Sequence, residues 1–447
     1  MTYRYLSITI AVFTNLFLCG TSLAAYNVVE VPLEVNDIIY DSVRGKIYAS
    51  IPGSAGPNGN TITQIDPVTG ATGPSLFVGS EPGELAISDD AQYLYVSLDG
   101  AAAVRRVDLA TFTAGIQFAL GTSPFYGPLY AEDIDVQPGN PGTIAVSLKR
   151  LGVSPRHGGV AIYEDGVQRP NMTPDHTGSN RIEFSSIPSK LYGYNNETSE
   201  FGFREMLVDI NGVTTVDVSA DFISGYGVDI EYHGGRIYST TGVVMEPDVP
   251  MILGSYAVGF VQSVVPDAVS NKTYFLSNNG LIDVFNQTNY TFIENINVIE
   301  AIGTSDNLIH TGNDNLAFST DASQVLLLTT DTPQPQAVMK LSPRSGMFLS
   351  TQQYDLGVTI RTGNNTISSI SHAILNSVDI TPAIASCIIP GRLGPGLVSL
   401  RCPGFSSLLP ATSSRTAYTL DLAIELSDGT VISNTATWVI LPTIEAP

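Results

Sequence analysis

Seven short apolar segments in this 447-residue sequence each begin at or just after one polar residue: Asp37, Glu84, Asp133, Arg181, Asp229, Ser263 and Asn315. Four acids and one arginine in a single register differ from scattered carboxylates. Gathered on one axis, Asp37, Glu84, Asp133 and Asp229 could hold a hydrated cation, most naturally Ca²⁺, through oxygen ligands. With Arg181 and Asn315 they could instead bind another ligand, or simply line a solvated pore in which Arg181 balances its neighbours. A second constellation follows in the middle of the chain. Arg156, His157, Asp175 and His176, with Arg181, are the residue types that serve as acid, base and charge clamp. Tyr126 and Tyr130 lie just upstream. No GxSxG, HExxH or phosphate-loop spacing is present, and His233, His310 and His372 are scattered, so no motif fixes a catalytic residue.

Residues 81–120 show what must position these side chains. Leu85-Ala86-Ile87, Leu94-Tyr95-Val96, Val104-Arg105-Arg106-Val107 and Ile116 to Leu120 read as four strands separated by polar turns. One such sheet cannot bury its own faces, so stacked copies are expected. Aligned on the second strand, copies recur at Ile47, Leu94, Ile144, Leu191, Ile237, Thr273 and Val325. The third strand of each runs into Asp66, Asp108, Asp165, Asp209, Asp248, Asn286 or Ser342, residues that favour a tight corner. The seventh copy, read as Leu316–Ser319, Val325–Thr329 and Ala337–Leu341, lacks a fourth strand. The unpaired segment Val28–Leu33 is expected to supply it and close a ring.

The stretch LYVSLDGAAAVRRVDLATFTAG at 94–115, preceded by Val78-Gly79-Ser80-Glu81-Pro82, resembles the YVTN-type seven-bladed β-propeller repeat. Copies one and two carry the pattern well and copies three to six loosely, over roughly residues 28–345. The resemblance implies an all-β, seven-bladed propeller spanning 25–348. Its function is left open, since such propellers include surface proteins, binding proteins and some enzymes. In that architecture the fourth-to-first and second-to-third loops open on one face. Those loops are long here, among them Pro52–Asn60, Gly121–Glu132, Lys149–Gly158, Thr173–Asn180, Asn195–Gly202 and Gly303–Asn313, whereas the opposite turns are short.

Residues 1–24 have a lone Arg4, an apolar run and a small-residue end, and read as a secretory signal peptide. The remaining chain keeps 19 basic and 42 acidic residues. That balance disfavours nucleic acid, and no later segment suits a membrane span. After 348 the pattern shifts to alternating strands such as Gly357–Arg361, Thr419–Ile424 and Ala436–Ile440, expected to form an Ig-like β-sandwich over 349–447. With Cys19 inside the expected signal, export and the two remaining cysteines favour a Cys387–Cys402 disulfide. The leading expectation is a secreted, periplasmic or cell-surface scaffold that binds a protein, glycan or small-molecule ligand through its long-loop face without catalysis. The alternatives are a lactonase-like hydrolase or polysaccharide lyase at the propeller mouth, and a surface-layer or matrix protein. An enzyme requires Arg156, His157, Asp175, His176 and Arg181 to share one pocket.

Overall fold

A computed structural model describes residues 26–176, 178–330, 338–343, 348–349, 355–362, 365–394, 397–409 and 416–440. The expected signal segment and its cleavage site lie outside them. Among the described residues no helix is long and apolar enough to cross a membrane.

The chain is all-β, with propeller-like four-stranded sheets. The first comprises Asp37–Asp41, Lys46–Ile51, Thr61–Ile65 and Thr72–Phe77; the second, Pro82–Ile87, Tyr93–Leu98, Ala103–Asp108 and Thr113–Ala119. The same antiparallel order repeats over Tyr130–Met172, Arg181–Ser219, Ile230–Ser255 and Ser263–Asn297. The third and fourth groups join into one eight-stranded sheet through a parallel pairing of Asn171 with Gly212.

Second strands are buried on both faces because each is covered by neighbouring sheets, which is why they read as unbroken apolar runs. Their recurring tyrosine has a second use. The hydroxyl of Tyr95 donates to the Pro141 carbonyl at 2.7 Å, Tyr192 donates to Asp248, and Tyr274 donates to Asp314 at 3.2 Å. Each bond crosses from one sheet to a turn of the next, so a buried ring keeps its polar tip satisfied and ties two sheets together. At the third-strand corners Asp66, Asp108, Asp209 and Asn286 accept backbone N–H groups two or three residues ahead.

The N-terminal strand Asn27–Val31 pairs antiparallel with Gln324–Thr329, from Asn27 opposite Thr329 to Val31 opposite Val325. It completes the sheet whose other members are Ser305–Gly312, Asn315–Thr320 and Gln324–Thr329. The expected join is therefore present, but the last copy is shifted by one strand from the sequence reading. Leu316–Ser319 lies in the second strand, not the first. The innermost strand is Ser305–Gly312, where the sequence pattern predicts the long loop Gly303–Asn313. Its polar Asp306, Asn307 and His310 line a channel and hide the apolar alternation. The true second strand begins at Asn315, 43 residues after the preceding one at Lys272.

Val338–Ser342 is not part of that sheet. It pairs with Leu356–Arg361, in a sheet completed by Leu397–Cys402 and Ile389–Gly394. The change of architecture thus falls between Thr329 and Val338, ahead of the expected boundary at 348. A second sheet contains Ile367–Leu375, Thr416–Leu426 and Val431–Ile440. Both sheets contribute to one apolar core that includes Leu356, Val358, Leu420, Leu422 and the fully buried Trp438. The Cys387–Cys402 disulfide lies beside this core.

Candidate functional site

The inner strands carry their polar residues to one cavity of about 630 Å³, lined by Asp37, Glu84, Asp133, Arg181, Asp229 and Ser263 among others. Six of the seven residues singled out from sequence therefore meet. Asn315 does not. It is buried in a second strand, where its side-chain oxygen accepts the Thr330 N–H at 2.8 Å. Asp306 stands at the cavity instead, as the one-strand shift requires.

The acids share a structural task. Asp37 accepts the N–H of Ile38 at 2.7 Å through Oδ1, and the N–H of Leu85 on the next sheet at 2.8 Å through Oδ2. Asp133 does the same with Ile134 and Ile182, and Asp135 with Val136 and Phe184. Each carboxylate staples two inner strands that share no backbone ladder. Arg181 sits among the remaining oxygens, with Nε 3.3 Å from Asp229 and Nη1 4.0 Å from both Glu84 and Asp133.

Although about a third of the Arg181 side chain (31%) is solvent-accessible, protein surrounds it on most sides. Attraction to Asp229 holds its guanidinium charged well above the ordinary range, against burial. Burial pushes the Asp37 and Asp133 carboxyls well above theirs, with Glu84 adding repulsion to both and Arg181 opposing. Glu84 is raised by burial, an effect opposed by Arg181 and Lys149.

A second carboxylate layer lies two residues further along three inner strands: Asp135, Glu183 and Glu231. Alternation puts i and i+2 on one face, so Asp-x-Asp, Arg-x-Glu and Asp-x-Glu in neighbouring copies were a readable signal that the sequence reading passed over. Burial lifts Asp135 to about 7 against its two backbone hydrogen bonds, and lifts Glu231 to about 8 with Asp229 and Asp135 adding repulsion. Glu183 rises well above the carboxylate range, through burial first and then Glu231 and Asp135.

The expected calcium set does not come together as ligands: among the described residues no group of three or more His, Cys, Asp or Glu side chains is placed to hold a metal ion. The carboxylates instead face backbone N–H groups and Arg181.

The second constellation divides. Arg156 donates from Nε to Glu132 at 2.7 Å and lies 3.8 Å from Glu197. Asp175 pairs with Arg150, and His176 lies 3.7 Å from Asp175 on the exposed side. Tyr126 stacks beneath the Arg150 guanidinium at 5.0 Å. None of Arg156, His157, Asp175 and His176 lines the cavity around Arg181. Glu132 and Glu197 were missed from sequence. Glu132 sits at a register shift between Ala131 and Asp133. Such a bulge re-aims a side chain, which alternation alone cannot foresee.

His157 is 1% exposed, and neither ring nitrogen has a hydrogen-bond partner. A Cβ at Gly178 would lie 2.4 Å from its Nε2. Burial, followed by Arg204 and Arg150, pushes the imidazole down to about 3. A ring this enclosed meets no substrate. Its pKa is depressed on folding, so the stability due to keeping it neutral is present above the unfolded value of about 6.5 and is lost as pH falls toward 3. Leucine has no proton to gain, so the substitution removes this acid-side loss. Thermal unfolding of His157→Leu is expected to match wild type near pH 8 and to exceed it near pH 4 by on the order of 2 kcal/mol.

The fold and this axial site define the class of molecule: a β-propeller. Among solved structures the chain is similar to the Cps50 (Swd1) β-propeller domain of Myceliophteria thermophila, with a TM-score of 0.55, 11% identity, and coverage of 69% of this chain and 100% of that one. At that identity the likeness shows the fold alone. No family model matches the sequence, and no curated protein matches it.

Proposed function

We propose that the chain is an exported, seven-bladed propeller of the YVTN type that carries an Ig-like sandwich behind it and works as a non-enzymatic binding scaffold. A propeller presents a rigid ring of loops, which suits recognition more readily than any one chemistry. The observation that carries the reading is where exposed aromatic rings lie. Phe125 (89% exposed), Tyr126 (46%), Tyr226 (65%) and Phe260 (74%) all sit in loops entering inner strands, on the long-loop face. The exposed large apolar residues within the opposite turns, among them Val43, Val68, Ile187 and Val269, are aliphatic, and the exposed Phe292 stands just after one of those turns. Aromatic residues are what binding surfaces concentrate. Arg156 and the Asp175–His176 pair lie apart from the Arg181 cavity and His157 is sealed without a partner, which argues against the lyase or lactonase alternative.

Photo-crosslinking groups placed at Phe125 and at Val269 test this in the exporting host. The reading expects adducts from position 125 and none from 269. Adducts only from position 269, or turnover of lactones or uronate polysaccharides abolished by His176→Ala, would reject it.

A further inference from the structure

We propose that the cavity on the propeller axis receives an arginine side chain from an extended segment of a partner protein, and that Tyr226 and Phe260 clamp the segment at the rim. This rests on the reading of the long-loop face as the binding face, and goes further by naming the partner's chemistry.

Tyr226 adjoins Gly227, and Phe260 lies two residues before Gln262; both Gly227 and Gln262 line the cavity. The two exposed rings therefore stand one and two residues from the cavity lining, in loops that enter adjacent sheets. Phe201 packs edge-on against Tyr226 at 4.9 Å, which fixes one of them in place. Rigid aromatic anchors beside a concave site are the residues that dominate interface energetics.

Acidic side chains outnumber the cation Arg181 at this opening. Arg181 answers Glu84, Asp133 and Asp229, while Asp37 and Asp306 form no ion pair among the described residues. Arg181 also shows what the cavity accepts: its guanidinium lies within 4.0 Å of three carboxylates from three different sheets. A planar, permanently charged fork suits such a set better than a compact ammonium. Glu183 and Glu231 line it further in, and Tyr40, Pro266 and His310 further still, so a long side chain has room end-on.

An extended backbone also has somewhere to lie. A second cavity of about 410 Å³ shares Asn36 and Glu84 with the first and adds Glu81 and Asp99. Lys149 lines it too, 3.7 Å from Asp99, so the two adjoining cavities carry more acidic than basic side chains. Charge complementarity of this kind sets partner choice and on-rate, and it favours a basic peptide over a neutral or anionic chain.

The test uses the purified full chain and fluorescein-labelled twelve-residue Gly/Ser peptides carrying one tyrosine and a central Arg, citrulline or Glu. Anisotropy is expected to show binding of the Arg peptide, at least tenfold weaker binding of citrulline, and none of Glu. Raising salt from 50 to 300 mM is expected to weaken the Arg peptide at least threefold. Phe260→Ala and Asp306→Asn, both at exposed positions, are expected to weaken it at least fivefold without shifting the melting temperature. Equal binding of Arg and citrulline, absence of peptide binding, or indifference to both variants would overturn the proposal. Binding of a glucosamine hexamer, lost in Phe260→Ala, with no peptide binding would overturn the peptide and keep the binding face. Peptide binding lost only on Val43→Ser or Val269→Ser would overturn both.

Discussion

A chain that starts after residue 33 is expected not to reach the native state, and the loss is the largest any short change should cause. The strand Asn27–Val31 contributes five paired residues to the last sheet. Tyr26 and Val31 are buried, and Val28 and Val29 pack against two separate apolar clusters. Val29 and Val31 also fill the space over Gly70, where a Cβ would lie 2.8 Å from a Val29 methyl. Four such side chains are worth on the order of 6–10 kcal/mol, comparable with the whole stability of many domains. Removal would also bare Val325 to Leu328, now fully buried, as an unpaired apolar edge that invites association. Size-exclusion chromatography should show aggregates, and a synthetic peptide spanning residues 25–36 should restore a monomeric species in trans. A truncated chain that melts within a few degrees of the intact one would refute this.

Raising the pH from about 5 to about 8 is expected to destabilise the propeller, and Glu231→Gln to remove much of that effect. Asp135, Glu183 and Glu231 form one buried layer. Asp133 and Asp229 are above it and Asp267, His233 and His310 face the axis from neighbouring strands. Folding raises the carboxyl pKa values of this layer, so the folded state holds protons that the unfolded chain has released. The stability this gives is complete below about pH 4. It declines as pH climbs through the raised carboxyl values, Glu231 at about 8 among them. Each pKa unit is worth about 1.4 kcal/mol, so the decline is on the order of a few kcal/mol across the coupled layer. Denaturant melts should show Glu231→Gln and Glu183→Gln above wild type at pH 8 and level with it at pH 5. Parallel pH profiles for wild type and both variants would exclude the layer as the cause. With His157 acting in the opposite sense on the acid side, stability is expected to peak in mildly acidic solution.

The part of the site written in strand register was legible. Asp37, Glu84, Asp133, Arg181 and Asp229 meet because each occupies the same position at the start of an inner strand. The last copy was misread where a polar, channel-facing strand resembles a loop, and that exchanged Asp306 for Asn315. Glu132 was beyond reach because its direction comes from a bulge, not from alternation. Arg156 and His157 are neighbours in sequence, yet one meets Glu132 and Glu197 near the surface while the other is sealed under Gly178. Proximity along a loop does not determine which way adjacent side chains turn.

The bridge between Asn171 and Gly212 has a mechanical consequence. The backbones touch there so closely that a Cβ at Gly212 would lie 2.0 Å from the Asn171 carbonyl oxygen, and Arg169 adds a bond from its guanidinium to the Asp209 carbonyl at 2.7 Å. Two neighbouring wedges of the disc are thereby welded at their circumference as well as at the hub. Under tension or heat this arc would move as a single plate, leaving the disc to split along a different radius.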